Sequence, residues 1–345
     1  MSKVNFSFVL CFGLLCVCLS ACGSSPKKPA WVNSIDSVYS NDQYVAAVGT
    51  GNDRQMAEKS AFGNLIARFG QSIQVDEKIS LSYQEAVKSG VTTGWTQDTN
   101  VQNTIATSAS MDTLVGAEIK ETWFESSTNT HYAAAVMEKD TAARLYTGMI
   151  NANLTMINNL TSMSQAEKDT LEGFSRYQFA AMIADINTSY GNLLKVIGTA
   201  PPAGMKPGDD YRLEAVNITK AIPIAVTVKG DRAGRIQGAI SRALADLGFR
   251  SGVSNSRYTV DAELSITEDV YPTSPYKWAR YVVTASLVDT VPLRVVLVPF
   301  SISDREGQNT YDLAVNRALG KVEDIIAYDF KDLVNDYLSR LLPKK

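Results

Sequence analysis

All four cysteines of this chain, Cys11, Cys16, Cys18 and Cys22, lie within its first 22 residues, and none follows from Gly23 to Lys345. The folded body therefore has no disulfide to staple it, no thiolate to bind a metal and no thiol nucleophile. Its stability has to come from packed apolar cores. The composition supplies them: 45% of residues are apolar and 20% charged, as in globular chains. At 345 residues the chain exceeds what one core usually holds, about 250 residues, so two compact domains are expected. The net charge of -3 lacks the basic excess of a phosphate-binding surface, which argues against nucleic acid as a partner.

The first 21 residues have the three parts of an export signal. Lys3 supplies a positive start, Val4–Leu19 is an apolar run, and Leu19-Ser20-Ala21-Cys22 closes it. Small residues at Ser20 and Ala21 let an extended backbone enter a protease cleft. The Cys22 thiol is a soft nucleophile that can accept diacylglycerol as a thioether. The apolar run is shorter than the ~20 residues of a spanning helix, and an ordinary secretory signal needs no cysteine after its small residues. The pattern predicts a lipoprotein signal peptide over 1–21, cleavage before Cys22, and a covalent diacylglycerol and N-acyl lipid, palmitate among them, on that cysteine. One acyl chain holds a protein only reversibly, whereas two or three anchor it stably. No other cofactor and no metal is expected.

Gly23-Ser24-Ser25-Pro26-Lys27-Lys28-Pro29 reads as a flexible tether, spanning 22–30, whose Lys27 and Lys28 are placed to touch anionic headgroups. Gly23 is not the aspartate that in some bacteria retains lipoproteins on the inner membrane. The expected location is the outer membrane, on its periplasmic or cell-surface face.

Beyond the tether the chain reads as α+β: two small α/β modules with mostly antiparallel sheets, separated by a helical hairpin. The first module, 31–140, opens with Trp31-Val32 and a strand Tyr44–Val48 ended by Gly49-Thr50-Gly51. Asp53 is a predicted N-cap, and Ala57, Ala61, Leu65 and Phe69 form one stripe of the helix that follows. Ser72–Tyr83 alternates as a strand does, while 84–112 is polar and assigns to no element. Strands over Leu114–Phe124 and His131–Met137 flank the polar loop Ser126-Ser127-Thr128-Asn129. Helices are predicted over Lys139–Leu160 and Ser164–Ile197, forming a hairpin over 141–198. Ser164 and Glu167 have capping-box spacing. Phe179, Ile183, Ile186, Tyr190, Leu193 and Ile197 form a packing seam between the two helices.

Three prolines then mark a linker, 199–221. The C-terminal module, 222–345, has the order β-α-β-β-β-α, with strands Ile222–Val228, Tyr258–Ile266, Trp278–Leu287 and Val295–Ile302. Asp231 caps its first helix. The closing helix presents Val315, Leu319, Val322, Ile326, Phe330, Leu333, Tyr337 and Leu341 on one face. Helices on one side of a small, mostly antiparallel sheet follow from this order. The first module has a loosely similar order, without a residue-level repeat.

Pro29-Ala30-Trp31-Val32 and Tyr44-Val45-Ala46-Ala47-Val48-Gly49-Thr50-Gly51, followed by an alanine-spaced helix, resemble the bacterial LPP-twenty lipoprotein family. So do Thr122-Trp123-Phe124, the polar turn, and Tyr132-Ala133-Ala134-Ala135-Val136. The resemblance covers 29–140. It implies a fold similar to modules of flagellar and envelope assemblies and a structural or adaptor role, with no catalytic residues to carry over.

Catalytic patterns are scarce. His131 is the single histidine, so it can supply one ligand or one base but not a zinc site. Ser-x-x-Lys occurs at Ser25–Lys28 and Ser274–Lys277, neither at the start of a helix. Gly49-Thr50-Gly51 has Arg54 where a dinucleotide loop needs its third glycine. Asp209-Asp210 and Glu323-Asp324 read as solvated charges. Tyr271, Tyr276 and Trp278, around Pro272 and Pro275, form a candidate interaction loop, since aromatics on a rigid loop are common binding anchors. The expected partners are the membrane, through the lipid, and envelope proteins; no small-molecule ligand is identified. Three functions follow in order: a non-catalytic adaptor, a glycan- or ligand-binding module, and a hydrolase working through carboxylates.

Overall fold

The computed structural model describes residues 27–69, 114–251 and 255–341. Cys22, the strand expected over Ser72–Tyr83 and the polar stretch 84–112 lie outside the described residues. The fold is α+β with two small, mostly antiparallel sheets.

The first sheet contains β1 (Tyr44–Gly51), β2 (Ala117–Glu125) and β3 (Thr130–Glu138), in the order β1-β3-β2 and antiparallel throughout. β3 is central and covered on both sides, so Ala133, Ala134, Ala135, Val136 and Met137 are all buried. One face takes helix α2 (Arg54–Phe69) through Ala57, Ala61, Leu65 and Phe69, the stripe expected from the sequence. The other face takes a strap formed by the single helical turn α1 (Ala30–Asn33) and a 3-10 turn (Ile35–Ser37), which press Trp31, Ile35 and Tyr39 onto Ala46, Ala134 and Val136. Two-sided coverage explains why β3 reads as unbroken small apolar residues.

β1 does not end at Val48 but runs through Gly51. The two glycines serve a close helix-on-strand crossing. A Cβ on Gly49 would lie 2.0 Å from the Ala61 nitrogen, and one on Gly51 would lie 2.5 Å from that of Ala57. Asp53 caps α2, its carboxylate accepting from the Met56 N–H at 2.7 Å. β2 starts at Ala117, later than expected, because Gly116 turns the chain with φ +84°.

Helix α3 (Lys139–Thr161) follows β3 directly, but the long helix expected from Ser164 is broken. A short α4 (Gln165–Lys168) carries the capping box between Ser164 and Glu167, and α5 (Leu171–Val196) restarts behind Thr170. Thr170 accepts from the Gly173 N–H at 3.0 Å, and a Cβ at Gly173 would lie 2.1 Å from the Lys168 carbonyl. α3 and α5 pair through the expected seam, with Asn153 donating to Asn187 at 2.8 Å inside it. The hairpin is built into both cores, more than a spacer between them. Phe179 to Ile197 pack into the first core, whereas Leu171 and Phe174 pack into the second. The Leu171 N–H also donates to Tyr258 at 3.3 Å. The span read as linker is helical over its second part, α6 (Gly208–Ala221), whose Ala215 and Ile218 are buried. Pro201, Pro202 and Pro207 precede that helix, and Asp209 and Asp210 sit in its first turn, where the helix dipole favours acid.

The second sheet has the order β4 (Ile224–Lys229), β5 (Tyr258–Asp269), β6 (Lys277–Asp289), β7 (Val295–Gln308). β4 and β5 are parallel, joined across α7 (Arg235–Asp246), and the other pairs are antiparallel. Asp231 caps α7, accepting from the N–H groups of Arg235, Ile236 and Gln237 at 3.1, 2.8 and 2.9 Å.

The closing segment comprises α8 (Tyr311–Ile325), a π-turn (Ile326–Phe330) and α9 (Lys331–Arg340). Its inner face departs from the expected one. Val334 and Leu338 are buried in place of Leu333, which is 42% exposed. The π-turn adds one residue to a turn and shifts every later position around the axis. Among the described residues, only one face of this sheet is covered. Along β6, Ala279, Tyr281, Val283, Ala285 and Leu287 point into the core, while Arg280, Val282, Thr284 and Ser286 alternate outward.

Candidate interaction site

The structure brings Tyr271 and Trp278 together at the far end of that uncovered sheet face. Their rings meet edge to face with centroids 5.9 Å apart. Trp278 pairs directly across from Gly307 on β7 and lies on it: a Cβ there would meet the indole at 3.0 Å. The indole N–H donates to Ser274 Oγ at 3.0 Å, which fixes the loop to the ring.

A residue the sequence reading missed completes the group. Arg305, on β7, sits 5.1 Å from the Tyr271 ring and 5.6 Å from the Trp278 ring, and donates to the Tyr271 hydroxyl. Behind it, Arg280 pairs with Asp269 at 2.7 Å, and this hydrogen bond holds the Asp269 carboxyl below the usual carboxylate range. No local pattern could reveal Arg305, which is remote from the loop in sequence. Its register with Arg280 across β6 and β7 brings it there. Tyr276 does not join the cluster and stands 50% exposed; Val270, at the start of the same connection, is 73% exposed.

A second aromatic–cation cluster lies on the first module. Lys28, expected in the flexible tether, is docked. Its ammonium is 3.2 Å from Glu125 and lies over the rings of Trp123 and Tyr132, at 5.6 and 5.0 Å from their centroids. Glu125 also accepts from Tyr132 at 3.1 Å and Thr128 at 3.2 Å. Desolvation pushes both groups toward neutrality, yet the hydrogen bond and charge of the partner win. Lys28 is held above its ordinary pKa and Glu125 below. The strap continues into Trp31, which is 2% exposed, so Lys28 and Trp31 both fasten this segment to the first sheet.

The other singled-out residues have structural partners. His131 stacks on Phe124 with ring centroids 4.5 Å apart. Ser274 is engaged by Trp278 and by the Tyr276 N–H, while Lys277 turns to Glu268 at 3.7 Å, so serine and lysine form no pair. Glu323 is not a free surface charge. It accepts from Arg235 at 3.0 and 2.7 Å and ties α8 to α7. Asp209 pairs with Arg212 at 2.8 Å. A cleft of about 800 Å³ opens among α3, α5, α6 and the proline loop, with Lys168 bound to Glu214 at 2.5 Å and lying over Tyr177. Among the described residues, no group of three or more His, Cys, Asp or Glu side chains is arranged to hold a metal, and no helix is long and apolar enough to cross a membrane.

No protein-family model matches the chain, and no curated protein sequence matches it. Three solved structures are similar to it at low identity. A secreted protein of Helicobacter pylori is 14% identical over 83% of this chain and 97% of its own, with a TM-score of 0.44. A minor lipoprotein of Acinetobacter baumannii is 16% identical over 36% of this chain and 96% of its own, at a TM-score of 0.25. A predicted lipoprotein of Caulobacter crescentus is 17% identical over 34% and 89%, at 0.24. Nothing about fold or function is argued from likenesses this distant.

Proposed function

We propose that this chain is a lipid-anchored bacterial envelope protein that works by holding other envelope components, without catalysis of its own. The observation that carries the reading is the junction between signal and body. The Leu19-Ser20-Ala21-Cys22 pattern provides the anchor, and six residues later Lys28 is already clamped on the first sheet. A short anchor feeding straight into a folded module suits a protein that positions others at a membrane. The outer membrane, a partner in a flagellar-type or other envelope assembly, and kinship with the LPP-twenty family belong to this proposal.

Within it, the binding surface is the end of the second sheet around Tyr271, Tyr276 and Arg305. A glycan-stacking reading of the same loop has less support, because Trp278 carries Gly307 on one side and the Arg305 guanidinium nearby, leaving little open ring face. Photocrosslinking tests the adaptor reading. A benzophenone side chain at Tyr276 in cells should give one adduct of discrete mass, and the same probe at Arg232 none. Only uncrosslinked monomer from Tyr276 contradicts the reading.

A further inference from the structure

We infer that the end of the first module formed by the β2–β3 hairpin and the start of α2 rests on the membrane that carries the anchor, through Phe124, His131 and Met56. The inference rests on the reading of Cys22 as the lipid-bearing residue. A chain spans at most ~3.3–3.6 Å per residue, so the six steps from Cys22 to Lys28 reach about 20 Å. Lys28 is not at large within that reach. It is fixed to Glu125, the last residue of β2, so the anchor pulls on the hairpin end of the sheet.

That end is built for an interface. Phe124, the neighbour of Glu125, is 44% exposed and stacks on His131. His131 pairs across the sheet with both Phe124 and Gly51. Gly51 in turn lies against Met56, whose Cβ is 2.6 Å from where a Gly51 Cβ would stand, and Met56 is 52% exposed. Phe124, His131, Gly51 and Met56 thus form one continuous row of apolar and aromatic surface.

The carboxylates around this row are occupied. Glu58 is held by Arg54 at 2.6 Å and Asp53 accepts from the Met56 N–H at the start of α2, while Glu125, on the opposite face of the same sheet end, is held by Lys28. The hairpin loop Ser126–Asn129 carries no charge, and Lys27, next in sequence to the docked Lys28, is exposed. An apolar row with occupied acids and an exposed lysine fits the headgroup boundary of a bilayer, where aromatic rings and lysines partition.

Site-directed spin labelling tests this on the lipidated, full-length mature chain. It is reconstituted in vesicles of three parts phosphatidylethanolamine to one part phosphatidylglycerol. Cys22 is the only cysteine of that chain and is consumed as a thioether, so a nitroxide attaches only to an introduced thiol. At Phe124→Cys the ratio of oxygen to nickel-complex accessibility should exceed that at Tyr276→Cys severalfold, and should fall to the Tyr276→Cys value when the vesicles are dissolved. Equal ratios on acylated protein overturn the placement alone. So does dipolar broadening between two Phe124→Cys labels, which would put a second copy on the row, or an immobilised label without oxygen preference, which would put another protein there. A mass for the same sample without acyl groups overturns the anchor reading and the placement together.

Discussion

The two sheets answer the same problem differently. Both must bury an apolar face, but the first is sandwiched between α2 and the strap, whereas among the described residues the second keeps one face open. Two-sided burial selects small side chains: Ala133, Ala134 and Ala135 fill the centre, and Gly49 lets α2 approach backbone to backbone. One-sided burial selects alternation, with Tyr281, Val283 and Leu287 inward and Thr284 and Ser286 outward. The lesson is that the alanine-rich strand is the more demanding environment, because its tolerance on either face is nearly nil. Close packing leaves such contacts no room to relax.

The largest separation between the sheets should come from their coverings. Trp31→Ala removes the strap's main contact and should cost about 3–5 kcal/mol in urea denaturation, the range of buried aromatic deletions. Thr284→Val on the open face should stay within about 0.5 kcal/mol. A Trp31→Ala protein as stable as wild type would break the comparison. The glycines sharpen it further. Gly49→Ala meets helix backbone and should cost about 3 kcal/mol, whereas Gly307→Ala meets a single indole side chain and should cost about 1 kcal/mol. Equal costs would show that α2 can step away from β1.

The smallest effect distinguishes the two cation clusters by pH. Glu125 is held below its ordinary pKa of 4.5, so its contribution is present above that value and is lost as pH falls through the lowered one. Lys28 is held above its ordinary 10.5, so its contribution is present below that value and is lost as pH rises through the raised one. In the second cluster the lowered group is Asp269, held there by its hydrogen bond from Arg280. Following Glu125 and Lys28 side-chain carbon shifts by NMR should give midpoints below and above those ordinary values. Midpoints at the ordinary values would mean that the tether end is not docked.

Much of this was legible in the chain. Period-four alanines placed α2, alternation placed β5 to β7, and Asp53 and Asp231 announced the helices they cap, because those signals are local. What escaped depends on contacts between distant residues or on one-residue shifts in register. Thr170 and Gly173 break a helix whose apolar spacing runs on unbroken. The π-turn at Ile326–Phe330 moves Val334 inward without leaving a proline or glycine as a mark. The helix Gly208–Ala221 was hidden behind three prolines that end just before it. Of the candidate site, the aromatics of the Tyr271–Trp278 loop were visible, but Arg305 and the clamp on Lys28 arise only when strands pair.

The intact mass of the chain purified from membranes tests the whole account most directly. A polypeptide beginning at Cys22, heavier than its sequence by a diacylglycerol and one further acyl group, is the predicted result. A species that retains residues 1–21, or one cut elsewhere and free of lipid, would contradict it.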